Sequence, residues 1–514
     1  MDHQLTAEVT REVALKEGVC IHPVLHQVTD LATGSVTTVV MPCRATRESR
    51  CPSCAAAARR VRIQQCTEGW HLEHEPEPPT VRTGDAQHPD DEVEADEDDE
   101  PAADDDEPEP GRRTRSTRRR SDAPDLPVKP VQNRTVGTVF EGANGRRYRP
   151  SMFVTLTLPS YGRVTPGKGV PVDMDEYDYR TAALDAMHFP KLLDRWMQNL
   201  RRCAGYKVQY FGAIEAQRRL APHFHVALRG AIARQVIRQV TRATYTQIWW
   251  PPFDQIRYEP GSYPEWDGLD YLDPATGRPL TTWDQAMRAL DEDPDARPAH
   301  TLGFGTQVDI QGVLGGTPDA DRTVRYLTKY LTKSIADTYS QPGGSDAGYE
   351  AHIARLHAQV QVLPCSPACS NWLRYGIQPK DAGPGLVPGR CHSNAHTWED
   401  LGIGGRRVQV SRGWSTKTLA QHRADRADVV RQVLQAAGYA PPEADRMSTQ
   451  TLTEDGRPRY QWHAHAIPPE QATGAIQAAI AERRRWHAEY EHAKQLATGA
   501  DPPVDNHSAT RPAV

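Results

Sequence analysis

The alternation of apolar and polar positions in the middle of the chain predicts a β-sheet. Residues 152–158 form an apolar run with threonines at alternate positions, which is typical of a strand with one buried face. Residues 208–215 and 223–230 form two further runs, joined by a short connection that contains glutamine and two arginines. This pattern predicts a pair of neighbouring strands.

Helical periodicity flanks these strands. Apolar residues recur at helical spacing in residues 180–203 and 231–248, and again in residues 321–338, which follow a fourth predicted strand at 303–310. The order is strand, helix, two strands, helix, strand, helix. It predicts an α+β fold with a central antiparallel sheet flanked by helices.

Composition divides the 514 residues into five segments. One of them is rich in Pro, Asp and Glu and then in Arg, and it cannot bury enough apolar surface to fold, so it is predicted to be disordered. The segments are an N-terminal module (1–74), this acidic and Arg-rich linker (75–133), the α+β domain (134–340, with an insertion at 251–300), a Cys/His-rich and basic region (341–440), and a polar C-terminal helix and tail (441–514).

The formal charge of −6 conceals a basic protein. Residues 90–109 contain 14 acidic residues and no Lys or Arg, and the remainder has 61 basic against 53 acidic side chains, a net charge of +8. Such a balance suits a polyanionic partner such as DNA. No apolar run approaches the roughly 20 residues of a membrane span, and the N-terminus lacks an export signal. We therefore expect a cytoplasmic protein without a membrane partner.

Two histidines on one predicted strand are candidate metal ligands. His223 and His225 point to the same face, because alternate side chains of a strand do so, and Phe224 points to the other. Glu215 ends the preceding strand, where pairing would bring it alongside. Two imidazoles and a carboxylate suit Mg²⁺ or Mn²⁺. A second His-x-His, at 463–465, has no upstream carboxylate.

The helix predicted over residues 321–338 presents paired phenols and ammonium groups. Aliphatic residues fall on one side, and Tyr326, Lys329, Tyr330 and Lys333 cluster on another. A tyrosine hydroxyl becomes a nucleophile when nearby Lys and a metal stabilise the developing charge. Attack on a DNA phosphodiester would leave a 5′-phosphotyrosine and a free 3′-OH. The alternative is an amphipathic helix whose Tyr and Lys only coat the surface.

Two groups of cysteines are candidate zinc sites. Cys365, Cys369, Cys391 and His396 form two close pairs separated by a loop, as in tetrahedral Zn²⁺ sites, with His392 as an alternative fourth ligand. The alternative for the whole group is a set of buried reduced thiols.

The second group lies near the N-terminus. Cys20 and Cys43 flank a predicted β-hairpin that precedes the close pair Cys51 and Cys54. The residues that could substitute for one of these four are Cys66, His22 and His26.

The strand Phe153–Thr157, the His-Phe-His strand and the tandem Tyr-x-x-Lys stand in the order of the three motifs of the HUH endonucleases, which the chain resembles. The two-tyrosine spacing is similar to the subgroup that contains rolling-circle replication initiators. More narrowly, the chain resembles replication initiators of Streptomyces-type actinomycete plasmids and integrative conjugative elements. That narrower resemblance is carried by residues 51–72, 146–164, 217–230, 318–334 and 401–419.

The resemblance implies a metal-dependent nicking and rejoining endonuclease that initiates plasmid replication at origin DNA. His223 and His225 would hold the metal with Glu215, or with Gln217 or Asp309 in its place. The implied catalytic residues are Tyr326 and Tyr330 as alternating nucleophiles, and Lys329 and Lys333.

Two other functions are compatible with these sequence features. A two-tyrosine HUH transposase would have the same active site, and a non-catalytic zinc-containing DNA-binding regulator would use the histidines structurally.

The sequence has no G-x-x-x-x-G-K-[ST] motif, the phosphate-binding loop of many helicases. A host helicase and polymerase are therefore expected partners of an initiator.

Overall fold

The computed structural model describes residues 6–70, 72, 74–75, 125–138, 140–141, 145, 147–315, 317–329, 331–335, 347–439, 447, 451–453, 456–465 and 467–498. Most of the predicted linker, including the acidic run at 90–109, lies outside the described residues. The part that is described mixes helices with antiparallel sheets, which confirms the α+β class. None of its helices has the length and apolar character needed to cross a membrane.

The described residues form nine α-helices and sixteen strands. The helices are α1 (Ala7–Lys16), α2 (Pro52–Trp70), α3 (Tyr179–Ala204), α4 (Arg234–Ala243), α5 (Trp283–Glu292), α6 (Pro318–Leu327), α7 (Ala347–Val362), α8 (Leu419–Ala436) and α9 (Pro469–Thr498). The strands are β1 (Val24–Asp30), β2 (Val36–Met41), β3 (Phe140–Glu141), β4 (Arg147–Tyr148), β5 (Pro150–Thr157), β6 (Tyr210–Ala216), β7 (Pro222–Leu228), β8 (Tyr245–Ile248), β9 (Glu265–Trp266), β10 (Tyr271–Leu272), β11 (Thr281–Thr282), β12 (His300–Gly303), β13 (Val308–Leu314), β14 (Ile377–Gln378), β15 (Val408–Val410) and β16 (Tyr460–His465).

The chain folds into two compact units. The core unit takes its described residues from 66–79 and 99–416, and the terminal unit takes them from 1–65 and 417–514. The terminal unit contains a three-stranded antiparallel sheet in the order β16-β1-β2, and α1 packs against α9. The five segments predicted from composition stay a prediction.

A five-stranded antiparallel sheet organises the core unit. Its strand order is β13-β5-β7-β6-β15. Met152, Val154 and Leu156 of β5 point to what we call the core face, where they join a hydrophobic cluster with α3 and α4. Phe153 and Thr155 point to the opposite side, the polar face. The alternation seen in the sequence therefore separates a packed side of the sheet from a side available for chemistry.

A glycine allows the central strand to pack closely on its neighbour. Gly212 of β6 lies beneath the ring of Phe224 on β7, and a Cβ at this position would stand 2.2 Å from the ring carbon Cζ. Phe224 is 1% exposed. The aromatic ring thus fills the space that a side chain on the neighbouring strand would occupy.

The helix that carries Tyr326 is shorter than predicted. α6 ends at Leu327, and the hydroxyl of its C-cap Thr328 donates to the carbonyl of Val324 (2.9 Å). Further on, the backbone N–H of Ile335 donates to the carbonyl of Glu399 (2.7 Å) instead of to a helical carbonyl. At Ile335, a hydrogen bond to a residue far along the chain therefore stands in place of a helical hydrogen bond.

The single helical face predicted for the two tyrosines and two lysines is consequently wrong. Tyr326 lies in α6, Lys329 lies in the turn after it, and Lys333 lies in a bend. Tyr330 lies outside the described residues.

Two other elements break where the sequence predicts continuity. The helix predicted over 231–248 ends at Ala243, and β8 follows, because its β-branched and aromatic residues favour a strand that pairs with β12. The strand predicted over 303–310 divides into β12 and β13. Between them the N–H of Gly305 donates to the carbonyl of Thr157 (2.7 Å).

After the cysteine-rich stretch the sequence predicts a basic helical region (405–440) and a polar C-terminal helix (467–498), and α8 and α9 lie in these ranges. β15 also lies in the first range, where no strand is predicted, and forms the edge of the core-unit sheet, with Val408 paired to Ala213. β16 contains the second His-x-His and pairs with β1. Each strand finds its partner far along the chain, so local periodicity does not reveal it.

The prediction of disorder is wrong for residues 125–133. The N–H of Lys129 donates to the carbonyl of Arg202 (2.9 Å), and the N–H of Gln132 donates to the carbonyl of Gly205 (3.0 Å). Leu126 packs against the hydrophobic cluster. This segment therefore belongs to the fold because it completes the end of α3.

Substituting Gly212→Ala should reduce the free energy of unfolding by about 1–3 kcal/mol, because the added methyl group overpacks the ring of Phe224. The urea midpoint of the purified protein measures this change. Gly312→Ala, on β13 of the same sheet, is the matched control, since a Cβ there meets no atom within 4 Å. The control should change stability by no more than about 0.5 kcal/mol. Equal losses in the two variants would contradict the packing explanation.

Candidate functional site

Strand register places three candidate ligands side by side on the polar face. Glu215 of β6 pairs directly with His223 of β7, and His225 follows on the same face. The carboxylate oxygen Oε2 of Glu215 lies 3.8 Å from Nε2 of His223 and 3.7 Å from Nε2 of His225. We call these three residues the triad. Their ligand atoms all lie within 4.8 Å of one another, a spacing at which one ion could contact them all.

The triad is buried and its polar atoms are incompletely satisfied. Burial raises the pKa of Glu215 to about 8, lowers the pKa of His225 to about 4 and lowers that of His223 well below its usual value. Among the described residues, Oε1 of Glu215 and Nε2 of His223 have no hydrogen-bond partner. Buried polar atoms are costly when unpaired. The donor set and its unpaired atoms therefore fit a divalent cation.

Residues of β5 orient His225. Its Nδ1 hydrogen-bonds Oγ1 of Thr155 (2.9 Å), and its ring stacks on Phe153 with centroids 5.8 Å apart and planes 11° apart. The other ring nitrogen, Nε2, consequently points toward Glu215. In metal-binding histidines, the ring nitrogen that does not contact the metal is commonly held by a hydrogen bond of this kind.

Tyr326 reaches the triad from α6. Its hydroxyl lies 3.5 Å from Nε2 of His225, and its ring meets Phe153 edge-on with centroids 6.0 Å apart. The side chain is 45% exposed, although both of its aromatic neighbours are buried. A phenol therefore stands at the edge of the triad where a large substrate can reach it.

The structure places the other predicted site residues differently. Lys329 is exposed, and its charge acts against the burial that raises the pKa of Glu215. Lys333 offers its backbone carbonyl to the guanidinium of Arg407. Asp309 is exposed, stands outside the triad and accepts a hydrogen bond from Gln311 (2.9 Å).

Two arginines that the motifs do not identify support the site. Arg407 donates to the carbonyl of Ile214 (3.3 Å), the residue before Glu215, as well as to Lys333, and its charge also acts to lower the pKa of Glu215. It thereby ties β6 to the segment after α6. Its sequence signals are its position just before a short β-branched run and its place in residues 401–419, one of the stretches that carry the family resemblance.

Arg219 holds the hairpin loop between β6 and β7. Its guanidinium donates to the carbonyls of Leu158 (2.7 Å) and Pro159 (2.6 Å) and to Oε1 of Gln217 (2.7 Å). The side-chain oxygen of Gln217, an alternative third ligand, is thus engaged by an arginine. The loop is fastened to the end of β5 next to the triad.

The Cys/His group of the core unit has the dimensions of a tetrahedral zinc site. Sγ of Cys365 lies 3.8 Å from Sγ of Cys391, and Sγ of Cys369 lies 3.5 Å from Nε2 of His396. Zn–S bonds of about 2.3 Å give tetrahedral S···S edges of about 3.8 Å. Nδ1 of His396 hydrogen-bonds the carbonyl of Val360, which leaves Nε2 for the group. The alternative ligand His392 is exposed and lies outside it.

The N-terminal cysteines form a similar group in the terminal unit. Cys20 and Cys51 are 3.9 Å apart at Sγ, and Cys43 and Cys54 are 3.7 Å apart. The four ligand atoms form one group, which does not include Cys66, His22 or His26. All nine cysteines lie in the described part of the chain and none forms a disulfide. Both groups could bind a metal such as zinc.

Comparison with known proteins gives the family. A replication initiator protein of Streptomyces ambofaciens is 26% identical over 320 residues, which are 55% of this chain and 60% of the relative, so the chain spans less than two thirds of that relative. No solved structure matches the chain. The RepSA family, described as replication initiator protein, pSAM2, matches residues 6–482. Because this match covers nearly the whole chain, the protein belongs to the RepSA family of replication initiator proteins.

Proposed function

We propose that the protein starts plasmid replication by nicking origin DNA, with a tyrosine as the nucleophile and a divalent metal as cofactor. Family membership supports the role of initiator. The nicking activity is carried by one observation, the hydroxyl of Tyr326 at 3.5 Å from Nε2 of His225 at the edge of the buried triad. The catalytic domain would be of the HUH type.

The reaction exchanges one phosphoester for another. The hydroxyl oxygen of Tyr326 attacks phosphorus, the bond from phosphorus to the 3′-oxygen breaks, and the 5′-phosphate stays on the tyrosine. The phenol gives up its proton, and the departing 3′-oxygen takes one up. No high-energy phosphate is consumed, so the 3′-OH can reverse the step and rejoin the strand.

The chain's own residues supply orientation and charge. The triad would hold Mg²⁺ or Mn²⁺, which when bound polarises the scissile phosphate. Phe153 holds the rings of His225 and Tyr326 in a fixed relation. The ammonium of Lys329 stabilises the developing phenolate, whose ordinary pKa is near 10. Preorganised charge of this kind is usually a large part of catalysis.

Two tyrosines would allow a complete round of replication. Tyr326 and Tyr330 alternate in this proposal, so that one nicks the origin and the other cleaves the regenerated origin and releases a circle. Lys333 assists as the second lysine of the motif. Partners are origin DNA, held covalently through tyrosine, and a host helicase and polymerase.

We also propose that both cysteine groups hold structural Zn²⁺. The four sulfur distances and the orientation of His396 support this assignment. Neither group touches the proposed chemistry directly. Their role would be to fold segments too poor in apolar residues to fold alone.

Incubation with a single-stranded origin oligonucleotide and Mn²⁺ should give a covalent protein–DNA adduct. The double variant Tyr326→Phe/Tyr330→Phe and the single variant His223→Ala should reduce the adduct to background, because they remove the nucleophiles or a ligand. The adduct is measured by denaturing gel electrophoresis, and mass spectrometry locates the phosphotyrosine. Tyr263→Phe, outside the site, is the control and should retain the wild-type yield. A wild-type protein that forms no metal-dependent adduct with the origin of its own replicon would refute the proposal and favour a non-catalytic DNA-binding regulator.

Thr155→Val should raise the Mn²⁺ concentration for half-maximal nicking by about tenfold or more, because it removes the partner that fixes His225. The substitution keeps the shape of the side chain. A metal titration of adduct formation measures the effect, and the urea midpoint shows whether stability has changed. An unaltered metal requirement would show that Thr155 does not orient a ligand.

Purified protein should contain about two zinc ions per chain. Cys391→Ser or Cys54→Ser should lower the content to about one, because each removes one of four ligands. Elemental analysis by mass spectrometry measures the ratio. Cys203→Ser, a buried thiol of α3 outside both groups, should leave the content at about two. If neither ligand variant loses metal, the cysteines are reduced thiols without zinc.

A further inference from the structure

Besides the triad and Tyr326, the core unit has another surface that could contact DNA, the outer face of α4. This helix buries Ile237 and Val240 in the hydrophobic cluster on the core face of the sheet. Its exposed side carries Arg234, Arg238 and Arg242 at intervals of four residues. At about 1.5 Å per residue, these arginines extend over about 12 Å. We call them the arginine row.

The N-terminal part of the row opposes the local stability of its own helix, whereas Arg242 lies in the last turn, where a positive charge is favourable. The ten residues of α4 contain no acidic residue, and the N-cap Ala233 provides no side-chain hydrogen bond. Arg234 places a positive charge at the positive end of the helix dipole, and like charges four residues apart repel. Local rules broken together in this way are common at functional sites.

The arginines are available to an external anion. All three are exposed, and within the described part of the chain none of them has a carboxylate partner. The other exposed side chains between them are Gln235 and Gln239. Aromatic residues that would stack the bases of a single strand are absent from α4. The row therefore suits phosphate contacts rather than base stacking.

The sheet separates the row from the proposed active site. α4 packs on the core face, whereas the triad and Tyr326 lie on the polar face. The strand being cut cannot lie along both at once. DNA at the row would therefore be a different segment from the strand being cut. The charges of the row complement a duplex, which carries about one negative charge per 1.7 Å of its axis.

We propose that the arginine row holds the phosphate backbone of duplex DNA on the side of the sheet opposite the triad. The proposal rests on the proposed function in that it assumes a DNA substrate on the opposite side of the sheet. It assigns a sequence-independent role to α4, which adds affinity and leaves recognition of the origin to other residues.

The test compares two triple variants of the full chain. Arg234→Gln/Arg238→Gln/Arg242→Gln removes the row, and Arg278→Gln/Arg288→Gln/Arg297→Gln removes three other arginines of the core unit that lie outside α4. Both change the net charge equally. The probe is a fluorescent duplex of roughly 30 base pairs and arbitrary sequence, in a buffer without added Mg²⁺ or Mn²⁺ and without chelator, so that cleavage is not supported and structural zinc is retained. Binding is followed by anisotropy from about 50 to about 200 mM KCl.

Loss of the row should reduce the slope of log affinity against log salt by about 2.7, since each phosphate contact contributes about 0.9. The control variant should reduce it by less than about 1. Both variants should still form the covalent adduct with a single-stranded origin oligonucleotide, which also shows that they are folded. Equal slopes for the two variants would overturn the proposal. Failure of the wild type to form an adduct would refute the nicking activity but leave the duplex-binding result intact, so the two failures are distinguishable.

Discussion

The register of β7 between β5 and β6 is the constraint on which the site depends. Side chains of a strand alternate between faces, so a shift of one residue would turn His223 and His225 into the hydrophobic cluster and expose Phe224. Two contacts oppose that shift, the ring of Phe224 over Gly212 and the hydrogen bond between Thr155 and His225. The same packing that stabilises the sheet therefore also positions the candidate ligands.

The segment next to the candidate nucleophile is held by contacts between residues much farther apart in the sequence. Tyr326 meets the triad from the last turn of α6, which ends at Leu327, and the described residues of the segment that follows, up to Ile335, are not helical. That segment is held by Glu399, which accepts from Ile335, and by Arg407, which donates to Lys333. Glu399 and Arg407 both follow the Cys/His group of the core unit, so the segment after the tyrosine is held by residues far along the chain. One of them, Arg407, also acts on the pKa of Glu215.

The separation of these contacts along the chain explains which features could be predicted from the sequence. The faces of β5 and β7 and the pairing of Glu215 with His223 follow from alternation and a short loop, which are local properties. The end of α6 does not, because amphipathic spacing continues past it, whereas the structure ends the helix at Leu327 and bonds Ile335 to Glu399 far along the chain. β15 is three residues long and pairs with a strand almost two hundred residues earlier, so neither it nor the neighbouring Arg407 has a periodic signal.

Charge around the triad would allow a site with a carboxylate to accept a phosphodiester, as the proposed function requires. Glu215 is the single acid of the triad, and the charges that act on its pKa are those of Arg407 and Lys329, both positive. The positive charge of Arg219 acts on the pKa of His223, and the negative charge of Asp309 acts on that of His225. A divalent cation added to this set would outweigh the carboxylate and leave the polar face attractive to phosphate. The net charge of −6 therefore misleads about the surface that matters, because the acids that produce it are concentrated in residues 90–109.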